Sequence, residues 1–187
     1  KPITHPLRAD IPVMLGAEGP KNVALAAEIA DGWLPIFYSP RISGMYNEWL
    51  DEGFARAGAR RTRETFEICA TAQIIVTDDR PMVMEMMKPH LALYMGGMGS
   101  EDTNFHAEVY RRMGYSEVVD DVTKLFRSDR KDEAAKVIPD ELVDDSAIVG
   151  NLDYVKEQIK AWEASGVTMM VVGAKSVEQI KQLAELV

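Results

Sequence analysis

The chain has 187 residues, 47% hydrophobic and 27% charged, with a formal net charge of -9; it is long and apolar enough to close a core, which excludes disorder as the whole answer. The negative balance repels nucleic acid and anionic membrane surfaces, so a polyanion partner would need a strong local basic patch. Cys69 is the only cysteine, which rules out an internal disulfide or a cysteine-built metal cluster and fits a reducing cytoplasm.

Lys1 to Asp10 reads as a loop that delivers the chain to its first strand; it is rich in proline (Pro2, Pro6) and starts without Met, as an excised piece of something longer would. Ile11 to Ala17 is a short apolar run without polar alternation, which predicts a strand covered on both faces. Pro20 suits the first position of a helix, and Val23, Ala26, Ala27 and Ala30 give that helix an apolar face, stopped at Asp31-Gly32. Trp33 to Phe37 is a second apolar run. Strand, crossover helix and strand in this order predict a parallel pair.

A loop with Ser39-Pro40 leads into a helix over Ile42 to Ala57, apolar at Met45, Tyr46, Trp49, Leu50 and Phe54 and closed by Gly58. Arg60, Arg61 and Arg63 form the nearest approach to a basic patch and are expected to cap a helix end at the surface. Phe66 to Val76, rich in Ile, Thr and Val, is the third expected strand. A Met-rich helix follows from Met82 to Met95, with Pro89 as a possible kink, and Gly96, Gly97 and Gly99 end it. Ser100 to Asp145 shows three short helical patterns, Phe105 to Met113, Ser116 to Phe126 and Lys131 to Val137, and no strand signal; it is expected to be a helical insertion. Asn151 starts a long amphipathic helix that ends at Gly166, Val167 to Val172 is the fourth expected strand, and Ser176 caps a last helix to Leu186.

The turn from Gly16 to Asn22 carries the functional clue. It runs from the C-terminal end of a strand into a helix N-terminus, where backbone N–H groups lack partners and the dipole favours an anion such as a phosphate. A plain strand-to-helix turn with Gly for its backbone angles accounts for the same residues. It is not a Walker loop, because no Gly-Lys-Ser/Thr follows.

Other residues support less. His5, His90 and His106 have no spacing that sets two on one helical face, so they are read as packing or surface histidines rather than metal ligands. Met95 and Met98, beside the glycines, are candidates for an adaptable apolar pocket, while Met82, Met84, Met86 and Met87 fit core filling equally. Arg111 and Arg112 are read as solvated, with an anionic ligand tail as the alternative. No nucleophile and base can be paired from sequence position.

PVMLGAEGPKNVALAAEIADGWLP, LYMGGMGSEDTNFHAEVYRRMGY and DDSAIVGNLDYVKEQIKAWEASGVTMMVV together resemble the luciferase-like oxidoreductases, and above all their branch that uses the deazaflavin coenzyme F-420. The resemblance implies the C-terminal half of a (β/α)8 barrel, since 187 residues fall short of the roughly 250 of a complete one. It further implies that Ala17, Glu18, Gly19, Pro20, Lys21 and Asn22 hold the coenzyme phosphate, with Glu18 and Asn22 as the contributing side chains. The implied chemistry is hydride transfer to or from an organic substrate. Flavin mononucleotide (FMN) with oxygen, hence a monooxygenase, is the alternative, and a non-catalytic half-barrel is a third reading. No catalytic residue can be named from this half. A half-barrel leaves two strand edges and its inner face open, so association with a second copy or with the missing half is expected.

Overall fold

The computed structural model describes residues 7–100 and 103–186; Pro2, His5 and Pro6 lie outside them. The elements run β1 (Met14–Leu15), α1 (Pro20–Ile29), β2 (Gly32–Trp33), α2 (Ser43–Phe54), β3 (Glu67–Val76) and α3 (Arg80–Ala92). They continue with α4 (Phe105–Arg112), α5 (Ser116–Arg127), α6 (Lys131–Lys136), α7 (Asp140–Asp144), β4 (Ala147–Gly150), α8 (Leu152–Ala164), β5 (Met169–Val172) and α9 (Val177–Ala184).

Every strand pair is parallel, as the crossover helices require. The path is β1-β2-β3-β4, with β5 on β3. Ten residues long, β3 serves three neighbours along different stretches: Gly32↔Glu67 to β2, Cys69↔Met169 to β5 and Gln73↔Ala147 to β4. The sheet therefore has five strands, not four. The extra one, β4, is buried throughout and lies just after the stretch expected to be insertion. The first strand is shorter than its apolar run, and the second begins at Gly32, one residue before its run, and keeps only Trp33 of it, because only Met14–Leu15 and Gly32–Trp33 meet in ladder register.

Helix α1 buries Val23, Ala24, Ala26 and Ala27, and α2 packs on that face. Asp31, at the end of α1, is buried and accepts from Val13 N–H at 2.8 Å and from Arg60 and Arg61 at 2.7 Å each. Arg60 and Arg61 thus neutralise an internal carboxylate instead of capping a helix, because a buried charge without partners would be costly. Only Arg63 stays with a helix surface, on Asn47 and Asp51.

Two apolar clusters form the core. One gathers Trp33, Tyr38, Tyr46, Leu50, Ile148 and Trp162; the other gathers Phe37, Met84, Met95, Tyr110, Val119 and Leu142. Met95 is a core residue that also borders an open cleft with Asn104, Thr123 and Arg127, as its place beside the glycines predicts, while Met82 and Met86 are exposed. The Met-rich helix passes Pro89 and continues as a π-turn over Leu93–Gly97, with Phe126 packed on the backbone of Gly96 and Gly97. The helical stretch before β4 is tied to the loop after β2 by Asp145, which accepts from Ser39 Oγ at 3.0 Å, Tyr115 Oη at 2.8 Å and Arg41. Asn151 and Ser176 cap α8 and α9 as their sequence positions predict.

Candidate anion-binding loop

The loop between β1 and α1 is shaped by Gly19 and Pro20. Gly19 is the N-cap residue at φ 83°, ψ 160°, a backbone region that is essentially closed to side chains, and Pro20 takes the first helical position. The first helical bond runs from Val23 N to Gly19 O at 3.1 Å. Lys21 and Asn22 are exposed, and no side chain caps the helix. Their amides thus point out of the first turn with its partial positive charge.

The loop is anchored on both sides. Trp33 Nε1 donates to the Ala17 carbonyl at 2.9 Å, fixing the strand end to β2. On the other side, α4 lies across the loop. Asn104 places that helix: its side-chain oxygen accepts from the His106 and Ala107 amides at 3.1 Å each, and its amide group donates to the Tyr94 and Met95 carbonyls at 2.8 Å. His106 Nδ1 then lies 2.9 Å from Glu18 Oε1. Arg112, one end of the same helix, brings its guanidinium to Gly19 and over the Trp49 ring at 5.9 Å, with Glu108 no nearer than 4.0 Å. Ala17, Gly19, Trp33, Trp49, Val109 and Arg112 line one narrow recess.

The six loop residues expected to hold a phosphate therefore divide. Gly19 and Pro20 shape the turn, Lys21 and Asn22 carry its exposed amides, and the Ala17 carbonyl is taken by Trp33 Nε1. Glu18 borders the same recess, but its carboxylate is engaged by His106, and an ionised carboxylate has no hydrogen to offer an anion. Arg112 is the residue that sequence reasoning set aside. Arg111 pairs with Asp120 at 2.6 Å, whereas Arg112 stands at the loop with its charge largely uncommitted. Met98 is exposed and lines none of this recess. Among the described residues no three His, Cys, Asp or Glu side chains are disposed to hold a metal ion, and no helix is long and apolar enough to cross a membrane.

The sequence profile described as luciferase-like monooxygenase matches residues 1–169. A Mycobacterium tuberculosis protein whose name assigns it provisionally to the coenzyme F-420-dependent oxidoreductases is 76% identical over all of this chain and 54% of its own length. The 5,10-methylenetetrahydromethanopterin reductase of Archaeoglobus fulgidus is 32% identical over 88% of this chain and 48% of its own length. The chain spans about half the length of the curated relatives it matches. Among solved structures, the coenzyme F-420-dependent tetrahydromethanopterin reductase of Methanopyrus kandleri superposes with a TM-score of 0.71 at 24% identity, over 95% of this chain and 49% of that one.

Proposed function

The chain belongs to the luciferase-like monooxygenase family, and from that membership we infer that it is about half of a (β/α)8 oxidoreductase working with coenzyme F-420, the deazaflavin. The names of the relatives favour this coenzyme over flavin mononucleotide. The observation that carries the reading to the residues is the open turn: uncapped amides at Lys21 and Asn22, Gly19 at positive φ, and the Arg112 guanidinium beside it. Such a cradle suits the coenzyme phosphate, because it combines main-chain donors, the helix dipole and one full positive charge.

In this reading Gly19, Lys21, Asn22 and Arg112 hold the anionic end of the coenzyme. Trp33 and Trp49 shield the recess from water. When bound, coenzyme F-420 supplies or accepts a hydride, with an organic substrate as the other partner. The loop sits at the C-terminal end of β1, the end of the strands where sites of this fold gather.

The test is a fluorescence titration with deazaflavin coenzyme against flavin mononucleotide, run on this chain completed to the length of its relatives. Saturable binding of the deazaflavin, weakened about tenfold by Arg112→Met, is the expected result. Equal or tighter binding of flavin mononucleotide would overturn it. The chain by itself is expected to bind weakly and to show no hydride transfer.

A further inference from the structure

The hydrogen bond from α4 to the loop leaves an imbalance around Glu18. Glu18 Oε1 is met by His106 Nδ1 at 2.9 Å, but Oε2 is shut off from solvent and bonded by no protein group. Tyr110 Oη, one turn further along α4, is likewise buried and unbonded, in a residue with no exposed surface. Burial pushes the Tyr110 phenol well up, and the Glu18 charge pushes it further. Phe37 and Tyr94 set their rings edge-on to His106, at 6.1 and 4.9 Å, and hold the imidazole in place.

Burying a carboxylate this way is costly, and a cheaper place lies close by. Glu18 is two residues before the first helical position of α1, and an acidic side chain is drawn to the free amides of a first turn. A released Glu18 would satisfy those amides itself and repel any incoming anion.

Building on the coenzyme reading above, we propose that His106 is a positioning residue that holds the Glu18 carboxylate away from the α1 amides, which keeps the loop open to the coenzyme phosphate. Helix α4 thereby sets coenzyme affinity without touching the reacting atoms.

Amide NMR of this chain without ligand tests the positioning directly. In His106→Ala the Lys21 and Asn22 amide protons should move downfield as the carboxylate reaches them, and adding Glu18→Gln should abolish the shift. His106→Asn, which keeps a donor near the Nδ1 position, should resemble the wild type. Tyr110→Phe, which removes a hydroxyl bonded by no protein group, should leave the amides in place. In the completed protein, His106→Ala should weaken coenzyme binding roughly 5- to 30-fold, and the double variant should recover it. Unshifted amides in His106→Ala overturn the proposal, as does weak binding that Glu18→Gln fails to restore. If the amides shift as expected but the wild type binds no deazaflavin, it is the coenzyme reading that fails and not the positioning.

Discussion

The Arg112 guanidinium lies against Gly19, so that a Cβ on the glycine would stand 3.5 Å from Arg112 Nη2. That is ordinary van der Waals contact, and it separates the two roles of Gly19. The side chain has room; the backbone, at φ 83° and ψ 160°, does not tolerate it. Gly19→Ala should therefore cost about 1–3 kcal/mol through backbone strain alone. A urea titration reads this as a lower midpoint with unchanged slope. Coenzyme binding should fall with it, because a relaxed loop turns the Lys21 and Asn22 amides away from a common point. An unchanged midpoint would mean that the turn relaxes without strain.

Gly53 lets α1 and α2 approach more closely than any side chain allows. A Cβ there would come within 2.1 Å of the Ala24 carbonyl oxygen and 2.6 Å of Ala27 Cβ. Backbone cannot give way as a flexible side chain can, so Gly53→Ala must move one helix. The expected loss is about 2–4 kcal/mol, visible as a lowered thermal midpoint by circular dichroism. Because α1 carries the loop amides, the variant should also weaken coenzyme binding even where it remains folded.

What the sequence made legible was local. The Asn151 and Ser176 caps, the Pro20 start and the crossover between β1 and β2 each follow from neighbours within a few positions, and all are present. Two local signals went unread. Asn104 before Phe105 is an N-cap pattern, and Ala147 to Val149 is a short apolar run between the acidic Asp144-Asp145 and the Asn151 cap; the latter is β4. The candidate site was half legible, through the family likeness of the loop. His106 and Arg112 were not, because their roles arise from contacts made 88 and 93 positions away in the chain, with Glu18 and Gly19. Arg60 and Arg61 misled for the same reason. Nothing adjacent to them signals Asp31, which is brought to them by the β2–β3 pairing.

Asp31 also gives the fold a pH dependence. The Val13 amide, then Arg60 and Arg61, hold its carboxyl at about 2, below the ordinary 3.8. The folded value lies under the unfolded one, so this stabilisation is complete above about pH 4 and is lost as pH falls toward 2. Asp31→Asn should be less stable than the wild type at pH 7, and the gap should close on acidification through that window. Denaturant midpoints at several pH values between 7 and 2 provide the comparison. A gap that stays constant with pH would show that the loss comes from packing and not from charge.

The sheet edges give an expectation for association in solution. Among the described residues β1 pairs only with β2, and β5 only with β3. Both free edges carry exposed apolar side chains: Ile11 and Val13 are 55% and 53% exposed, and Met169 and Val171 are 50% and 44% exposed. Met170, between the last two, is turned to the core, as the alternation of a strand demands. Unpaired backbone next to apolar side chains is a template for another strand. At about 25 cal/mol per Å2, covering even a few hundred Å2 of such surface favours association by several kcal/mol. The chain by itself is therefore expected to sediment at micromolar concentration as a dimer or larger species. Lys at positions 13 and 171, placed on opposite edges, should shift it toward the monomer by setting a charge where the partner strand would lie. A single-chain mass for the unsubstituted protein across that range would show that these edges do not pair with another copy.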